Sequence, residues 1–482
     1  GEVSRNMFAD LWPGVPEAEP PVGSITNGVH GATWVSAEMS DLLSTTVGDD
    51  WQWADDEAWT GVVDADNVAL WAAHQSAKAR MIDHVRDRLR NYGLAQGRSV
   101  SDLEWVDRAL DPDALTFCFA RRMATYKRAA LLLSQPDRLR ALILQADRPV
   151  QFIFAGKAHP ADDDGKELIR KIATFAHQAD VRHRFVFVED YDMALARSLV
   201  QGADVWLNTP VRPMEASGTS GMKAVLNGAL HCSVLDGWWA ECFSAGDGGD
   251  DEITTAGPNG WAISSAEAIA DEARRTEIEA NGLFDLLETQ VVPLYWERSG
   301  ALTPVHWVAR MKASLRTLGP FVSAHRMVRD YVEELYLPAA SRNLELCADG
   351  FSGARDLAAY RGRVEHAWHQ VHVDDVHVNE DVGDLGAERT VTAVVALGHL
   401  EPHDVAVQLV VGHVGQSGEL EGAVAIAMQV DESTEGLADG HRRYSGTAAL
   451  AEAGRMGVTV RVVPTHRLVA APVEFGRVAW AG

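Results

Sequence analysis

EASGTSGMKAVLNGALHCSVLD, residues 215–236, joins a loop of glycine and hydroxyl side chains to a predicted helix and then to an apolar run. Gly218 and Gly221 allow the backbone to approach a bound group closely, and the hydroxyls between them offer hydrogen-bond donors. The free N–H groups at the start of the helix favour a negatively charged ligand. Lys223 places an amine in the first turn. The stretch predicts an anion-binding loop, although an ordinary strand-loop-helix connection with a solvated lysine fits the loop equally well.

A nucleotide-binding P-loop is the nearest named motif, and the stretch does not match it. That motif has four residues between its glycines and a serine or threonine directly after its lysine. Here Ala224 follows Lys223. Two other glycine-rich runs, 246–250 and 412–415, lack the strand-to-helix context that a dinucleotide fingerprint needs. We therefore interpret both runs as loops without a nucleotide-binding role.

Strands and helical patterns alternate between residues 115 and 235. Five short apolar runs predict strands, namely 116–120, 150–156, 185–190, 205–208 and 231–235. Short, continuously apolar strands are typical of sheets that are buried on both faces. We predict an α/β fold with a doubly wound, Rossmann-like parallel sheet, coated by helices within residues 64–95 and 265–345.

Polar residues follow four of these predicted strands. Arg122 comes after the first, Lys157 after the second, Tyr191 after the third and the loop of Glu215 after the fourth. In doubly wound sheets, ligands bind at the carboxyl ends of the strands. We expect these side chains to surround one site, together with the cations of the run RRMATYKR at 121–128. The alternative is that these cations only face solvent at the strand end.

In the order and identity of its motifs, the sequence resembles the α-glucan (glycogen and maltodextrin) phosphorylase family. The resemblance is to the carboxy-terminal part of the shorter bacterial members of that family. The resemblance extends over about residues 20–345. It rests on ITNGV at 25–29 with Trp34, RMATYKR at 122–128, FAGK at 154–157, VEDY at 188–191, EASGT at 215–219, MK at 222–223, LNGAL at 226–230 and LDG at 235–237. His159 and Gly221 depart from the family pattern. The resemblance implies the carboxy-terminal half of a GT-B glycosyltransferase-type fold.

The resemblance also implies an activity, which is phosphorolysis of terminal α-1,4-linked glucose in glycogen or maltodextrin to glucose 1-phosphate. The family's equivalent of Lys223 holds pyridoxal 5'-phosphate covalently. By the same resemblance, Thr219 and Ser220 contact the cofactor phosphate, Tyr191 packs on the cofactor ring and Lys157 adds positive charge near it. Arg122 and Lys127 bind the substrate phosphate, with Arg121 close by. Glucose hydroxyls are bound by Glu215 together with Ala216, Ser217 and Gly218. Lys223, Arg122 and Lys127 are the expected catalytic residues.

This chemistry explains why those residue types suit the site. A phosphate monoester has its second ionisation near pH 6, so it exchanges protons readily near neutrality. Two phosphates in contact repel strongly in a dry pocket, so several fixed cations are needed. Arginine binds two oxygens at once, while Lys127 acts as a point charge. Lys223 must be desolvated to react as an amine, because a free lysine is protonated at neutral pH.

With 482 residues, the chain exceeds what one hydrophobic core usually serves. We predict a loop-like segment at 1–24, where prolines are frequent, a cofactor- and phosphate-binding domain at 25–360 and a β-sandwich-like domain at 365–482. The chain begins at Gly1, and the resemblance implies an amino-terminal glucan-binding domain that the chain lacks. We therefore expect a carboxy-terminal piece that is inactive by itself.

The last part of the chain contains short β-forming runs separated by glycine, aspartate and serine. They are 391–397, 405–414, 424–430, 443–450 and 458–463. His366, His369, His372 and His377 precede them, but their spacing mixes helical and strand positions and no cysteine accompanies them. We predict no metal site there. The tryptophans at 51, 53 and 59 are predicted to pack in the core rather than to bind sugar.

Composition limits the function classes. The chain has 43 basic and 69 acidic residues, and its net charge of -26 disfavours nucleic acid and anionic membrane surfaces as partners. Four cysteines do not form a disulfide framework, and no apolar run has the length of a membrane span. We expect a cytoplasmic protein whose partners are α-glucan, inorganic phosphate and glucose 1-phosphate.

Two other function classes stay open at this point. A nucleotide-sugar-dependent GT-B glycosyltransferase would bind donor phosphates with a pair such as Arg122 and Lys127, but it would need no lysine-bound cofactor. A non-catalytic piece would bind the cofactor without turnover. The preferred glucan, the regulation and association into homo-oligomers also stay open.

Overall fold

The computed structural model describes residues 1–246, 258–298, 303–379, 388–415, 418, 420–431, 433, 435–449, 454–471 and 473–482. The chain folds as two units, Ile25–Tyr331 on the one hand and Gly1–Ser24 with Val332–Gly482 on the other. The division differs from the predicted boundary near 360–365. Residues 332–360 belong to the second unit because Tyr360 and Val364, on the helix Leu337–Ala367, pack into the core of its β-strands.

Six strands form one parallel sheet in the first unit. They are β1 Leu115–Ala120, β2 Val150–Ala155, β3 Phe185–Val188, β4 Val205–Asn208, β5 Leu230–Val234 and β6 Gly260–Ile263. Their order is β3-β2-β1-β4-β5-β6, and every pairing is parallel. The predicted doubly wound sheet is confirmed. Strand β6 was not predicted from the sequence; it is the edge strand of the sheet, and its first residue, Gly260, pairs with His231 of β5.

Aromatic side chains fill the space above β1, β2 and β3. Phe117 lies 4.9 Å from Phe152, and Phe119 lies 5.4 Å from Phe154, with each pair of rings stacked across neighbouring strands. Phe185 on β3 stacks on Phe154 at 5.0 Å. All residues of these three strands are buried, which explains why their sequences are largely apolar. The two polar exceptions, Thr116 and Gln151, hydrogen-bond to each other through their side chains.

Helices cover both faces of this sheet. The α-helices are Gly31–Trp34, Ala37–Thr46, Asn67–Ala95, Pro136–Leu144, Asp163–Ala176, Met193–Gly202, Thr219–Val225, Trp238–Cys242, Glu272–Leu286, Val292–Trp296, Val305–Leu318 and Ala324–Asp330. Short 3-10 helices occur at Ala58–Asp64, Ser101–Arg108, Thr125–Lys127 and Leu131–Ser134, and a π-helical turn at Leu287–Val291. Asp66, Asp162 and Asp192 cap three of the α-helices by accepting a backbone N–H with their side chains.

The tryptophans before residue 60 behave in two ways. Trp51 and Trp59 are buried and meet edge to face at 6.1 Å, as the sequence predicted. Trp53 is 65% exposed, so the prediction of core packing is wrong for this residue. Its ring lies against His325 at 4.1 Å, on the surface of the unit, because the turn between Trp51 and Trp59 directs it away from the core.

The second unit contains two antiparallel sheets. Its strands are β7 His372–Val378, β8 Glu388–Ala396, β9 Val405–Val414, β10 Leu420–Ala427, β11 Gln429–Val430, β12 His441–Ala449, β13 Met456–Pro464 and β14 Ala479–Trp480. One sheet has the order β10-β9-β13-β14 and the other β11-β12-β8-β7. Val391, Val407, Leu409 and Val460 belong to one buried cluster that both sheets share. The predicted small antiparallel β-domain is confirmed.

One local prediction for this unit needs correction. The first residues are not wholly loop-like, because Glu2–Met7 is helical and Ala9–Leu11 forms a 3-10 turn. The prolines begin only at Pro13, after these turns, so they leave the helix intact. The helix Leu337–Ala367 is interrupted at 348–351, where three consecutive residues have positive φ. None of the helices in the described part of the chain combines the length and the apolar composition that a membrane span requires.

Candidate active site

The predicted site residues gather at the carboxyl ends of β1 and β4. These two strands are neighbours at the centre of the sheet, where the strand order changes direction. Arg121 directly follows β1, Asn208 is the last residue of β4, and the Arg121 guanidinium donates a hydrogen bond to the Asn208 side chain. A crevice at such a switch point is where doubly wound folds bind ligands.

Two cations and one carboxylate form the centre of this site. The Glu215 carboxylate accepts hydrogen bonds from Lys127 Nζ at 2.9 and 3.0 Å, and it pairs with Arg121 Nη2 at 2.8 Å. The three side chains are only 6–9% exposed. Burial lowers the pKa of Arg121, and the charge of Glu215 opposes that effect. This cluster, which we call the Arg121–Glu215–Lys127 cluster, retains one net positive charge.

One donor of this cluster stays unused. Arg121 Nε is buried and makes no hydrogen bond within the described part of the chain. A buried N–H without a partner costs free energy, so it is a position at which an anion would bind favourably. The excess positive charge points to the same ligand class.

The neighbouring cation, Arg128, has a structural role. It adopts a left-handed conformation with φ 45° after the turn Thr125–Lys127. Its guanidinium donates to the carbonyl oxygens of Thr209 and Pro210, each at 3.0 Å, and pairs with the buried Glu279. Arg128 therefore fastens the loop after β1 to the loop after β4, and this holds Lys127 near Glu215.

The loop that carries Glu215 is fixed by Asp236. One Asp236 oxygen accepts the backbone N–H of Glu215 at 2.9 Å, and the other accepts the N–H of Gly237 at 2.9 Å. Burial raises the pKa of Asp236, while these two hydrogen bonds oppose the rise. Gly237 has φ 55°, and a Cβ there would collide with the Ser217 carbonyl. Gly218 has φ 87° and begins the next helix, so both glycines are required by the backbone.

Lys223 lies beside this loop on the helix Thr219–Val225. Its side chain is partly buried, and burial lowers its pKa. The Nζ atom lies 3.7 Å from the centre of the Trp34 ring, over its face. Asn227 holds this arrangement together, because its amide donates to the carbonyls of Lys223 at 2.9 Å and of Trp34 at 3.1 Å.

The space beneath this helix is occupied by His231 of β5. A Cβ added at Gly221 would lie 2.5 Å from the imidazole, so Gly221 is needed at its position. His231 also packs against Trp238 and Trp239, at 5.1 and 4.8 Å. Burial, followed by the charge of Arg121, lowers the pKa of His231 to about 3. The departure from the family pattern at Gly221 is thus matched by a ring at position 231.

The other predicted residues lie around the same edge with fewer contacts. Ser220 Oγ accepts a hydrogen bond from Trp206 Nε1 at 3.2 Å, which leaves its own hydroxyl hydrogen for another acceptor. Tyr191 is partly buried, its hydroxyl lies 3.5 Å from the Ala120 carbonyl, and burial raises its pKa. Arg122 and Lys157 are exposed.

Comparison with known proteins gives the family. The profile of the carbohydrate phosphorylase family matches residues 6–288, and that of the glycogen phosphorylase C-terminal domain matches residues 368–482. The chain belongs to the carbohydrate phosphorylase family. Glycogen phosphorylase from Mycobacterium tuberculosis strain CDC 1551 / Oshkosh is 44% identical over 483 residues, which cover 100% of this chain and 54% of that protein.

Two further relatives of this family come from organisms other than mycobacteria. Maltodextrin phosphorylase from Thermococcus litoralis is 35% identical over 489 residues, with 100% of this chain and 55% of that protein covered. Glycogen phosphorylase from Aquifex aeolicus is 40% identical over 337 residues, with 70% of this chain and 46% of that protein covered. The chain spans about half the length of the curated relatives it matches.

Several residues of the site were not predicted as site residues. Asn208 and His231 contact the site from strands, where the sequence indicated only apolar runs. Trp34, Asn227 and Asp236 lie in stretches that carry the family resemblance, and their positions in those stretches were the available signal. Their roles are positional, and the sequence pattern by itself does not distinguish positional roles from ligand contacts.

Proposed function

We propose that the chain carries the cofactor- and phosphate-binding part of an α-glucan phosphorylase. The proposed reaction is the phosphorolysis of a terminal α-1,4-linked glucose to glucose 1-phosphate. The observation that supports it best is the Arg121–Glu215–Lys127 cluster at the switch point of the sheet, whose Glu215 loop leads into the helix that carries the half-buried Lys223. Relatives named glycogen and maltodextrin phosphorylase support the same reaction class.

The residues around Lys223 fit pyridoxal 5'-phosphate. Lys223 would hold the cofactor covalently, and its lowered pKa increases the fraction of unprotonated amine that such a bond requires. Thr219 and Ser220 would donate to the cofactor phosphate, with Tyr191 beside the ring and Lys157 adding charge. When bound, the cofactor supplies a phosphate monoester that exchanges protons near neutral pH.

The two cations of the cluster would bind the substrate phosphate, with Arg122 as a third. Arg121 offers the unused Nε, and Lys127 offers an ammonium that Glu215 holds in place. Without a ligand, Glu215 pairs with both cations and compensates one of their two charges. With a ligand bound, Glu215 and the backbone of Ala216, Ser217 and Gly218 would accept hydrogen bonds from glucose hydroxyls. The two cations would then bind phosphate instead of Glu215.

A covalent-labelling experiment tests the cofactor assignment. The chain is loaded with pyridoxal 5'-phosphate, reduced with borohydride, digested and mapped by mass spectrometry. We expect one label, on Lys223, and its loss in Lys223→Arg. Lys157→Arg serves as the matched control and should keep the label. A label on another lysine in the native chain would contradict the assignment.

A separate assay addresses turnover. Because the chain spans about half the length of its relatives, we propose that it binds cofactor and phosphate but does not turn over glucan by itself. Release of glucose 1-phosphate from maltodextrin and inorganic phosphate is measured for the loaded chain. Measurable turnover would contradict the inactivity and would leave the labelling result intact. The preferred glucan is not assigned.

A further inference from the structure

We propose that His372, Asp374 and His441 form a binding site for a divalent transition-metal ion, with Zn²⁺ as the expected occupant. These residues belong to the second unit, whereas the residues of the proposed phosphorylase site belong to the first. His372 Nε2 lies 3.0 Å from Asp374 Oδ1, and His441 Nε2 lies 2.9 Å from Asp374 Oδ2. The three candidate ligand atoms all lie within 4.8 Å of one another.

The register of the sheet places these side chains together. Strands β7 and β12 lie on either side of β8, and both His372 and His441 pair with Ala396 of that strand. The small side chain of Ala396 leaves room for the two imidazoles to approach across it. The register of β7 shifts between Val373 and Asp375, which makes Asp374 the extra residue of a β-bulge. Bulges redirect a side chain from its regular position.

The hydrogen bonds of the two rings determine which nitrogen carries the hydrogen. His372 Nδ1 lies 3.0 Å from the carbonyl oxygen of Gln370, and His441 Nδ1 lies 3.0 Å from that of Asp439. A carbonyl oxygen only accepts, so both Nδ1 atoms donate. In the neutral imidazole the lone pair is then on Nε2, which faces the carboxylate.

In each of the two contacts, an imidazole Nε2 and a carboxylate oxygen of Asp374 therefore face each other at hydrogen-bond distance, and both atoms are acceptors. A lone pair directed at a carboxylate oxygen is unfavourable unless a cation lies between them. The cation is either a proton on each ring or one metal ion that all three groups share. The backbone-fixed Nδ1–H is the arrangement found for metal-ligating histidines, where it fixes the tautomer and the ring orientation.

The ligand types select the class of metal. Two imidazole nitrogens and one carboxylate suit Zn²⁺, Co²⁺, Ni²⁺ or Cu²⁺ rather than Mg²⁺ or Ca²⁺, which prefer oxygen. Zinc ligands lie at about 2.0–2.2 Å from the metal, so two ligand atoms on one ion are about 3.0–3.5 Å apart. The distances of 3.0 Å from His372 Nε2 to Asp374 Oδ1 and of 2.9 Å from His441 Nε2 to Asp374 Oδ2 are close to this range, so the ion would lie against both carboxylate oxygens. The side chains are partly exposed, so water completes the coordination.

The site differs from the histidine set that the sequence suggested. Of His366, His369, His372 and His377, only His372 takes part. Its partners are Asp374, two residues along the same strand, and His441, which is distant in the sequence. The prediction of no metal site considered spacing along one segment and did not include a partner from β12.

Metal titration of the full chain tests the proposal. The protein is treated with chelator, a Cys347→Ser background removes the exposed thiol, and Zn²⁺ binding is measured by calorimetry. We expect one Zn²⁺ per chain, and at least tenfold weaker binding in His441→Ala and in Asp374→Asn. His377→Ala removes an exposed histidine from the same strand and should bind as the parent does. Thermal unfolding without metal checks that all variants are folded.

Spectroscopy of the histidines gives a second readout. Long-range nitrogen–proton NMR spectra of histidine-labelled chain should show the Nδ1–H form for His372 and His441. Addition of Zn²⁺ should shift both Nε2 signals and leave both Nδ1–H groups in place. No zinc binding, or equal binding in His441→Ala, would overturn the proposal. Signals of two doubly protonated rings that zinc leaves unchanged would also overturn it, in favour of an ion pair with Asp374.

Discussion

Two buried ion clusters lie at opposite ends of β4, and they differ in how completely their hydrogen-bonding groups are used. At the amino end, Asp204 accepts from Lys78 at 2.6 Å, from His74 at 2.8 Å and from the backbone N–H of Thr116 at 2.7 Å. Lys78 also donates to the Tyr295 hydroxyl at 3.0 Å. The side chains of Lys78 and Asp204 have no exposed surface. Burial alone would raise the pKa of Asp204, but Lys78 and His74 outweigh it and lower that pKa.

At the carboxyl end, the Arg121–Glu215–Lys127 cluster contains the same kinds of charged group, but its hydrogen-bonding groups are not all used. Its side chains keep a small exposed fraction, and Arg121 Nε has no partner among the described residues. Charge and burial alone therefore do not separate a structural cluster from a binding cluster. Unused donors and access to solvent separate them, because only such a cluster can exchange its internal partner for a ligand.

The largest expected effect on stability is at the amino end of β4, where all hydrogen-bonding groups of Asp204 are used. Asp204→Asn keeps the size of the side chain but leaves Lys78 buried without its counter-charge. We expect the free energy of unfolding to fall by about 3–5 kcal/mol, measured by denaturant unfolding. Asp83→Asn is the control, because Asp83 pairs with Arg86 at an exposed position on the helix that also carries Lys78. Its loss should stay below about 1 kcal/mol. A similar loss in both variants would remove the basis of the comparison.

His231 lies between the two ends, opposite Trp206 in the middle of β4. Its pKa is about 3 in the folded chain and close to 6.5 when exposed, so the unfolded chain binds a proton that the folded chain does not. Stability should fall as the pH decreases from 6.5 towards 3, by about 1.4 kcal/mol for each pH unit at most.

The variant His231→Gln tests this pH dependence. It lacks the titrating ring, so its free energy of unfolding should decline less steeply over pH 6.5 to 4.5 than that of the native chain. The comparison uses the two slopes, and any constant loss from the substitution does not affect it. Parallel curves would show that His231 is protonated in the folded chain.

A smaller effect is expected where His231 supports the helix of Lys223. Gly221→Ala adds a methyl group against the imidazole, and overpacking of this kind costs about 1–3 kcal/mol. The backbone at Gly221 is helical, so the collision is the only cost. Gly282→Ala is the control, because its Cβ would meet Ser264 at an ordinary 3.7 Å.

A double-mutant cycle identifies the cause of that loss. Gly221→Ala combined with His231→Ala should lose less stability than the sum of the two single changes, because the added methyl group enters the space that the ring leaves. Additive losses would mean that another neighbour opposes the methyl group. Borohydride labelling of each variant shows whether the same contact also positions Lys223.

The sheet, and the edge at which the candidate site residues lie, were predictable because period and composition along one segment carry that information. Continuous apolar runs predicted β1 to β5, and the polar residues after them predicted which edge binds ligands. The partners of the two ion clusters were not predictable in this way. Asp204 meets Lys78 across 126 residues of sequence, and nothing in either segment indicates the other. Lys127 and Arg128 are adjacent and carry the same charge, and only the turn Thr125–Lys127 with the left-handed backbone of Arg128 directs Lys127 to the site and Arg128 to a structural role. The ligand roles of the site residues stay predictions.

The smallest effect on stability, and the sharpest test of the comparison, is expected for Glu215→Gln. This change leaves Arg121 and Lys127 without their carboxylate but within reach of solvent anions. We expect a loss of about 1 kcal/mol in the free energy of unfolding in chloride buffer. Inorganic phosphate should bind about tenfold more tightly than to the native chain, because it no longer competes with Glu215. Calorimetry with phosphate measures the affinity.

Linkage connects the two measurements and distinguishes the two clusters. A ligand that binds only the folded chain raises its stability with concentration, so phosphate should restore the loss in Glu215→Gln. Asp204→Asn should gain no more stability from phosphate than the native chain does, because its phosphate-binding cluster is unchanged and no anion can reach Lys78. Glu277→Gln, at an exposed ion pair with Arg274, controls for the change in net charge and should bind phosphate as the native chain does. If phosphate restored both variants equally, or neither, access to a ligand would not be what separates the two ends of β4.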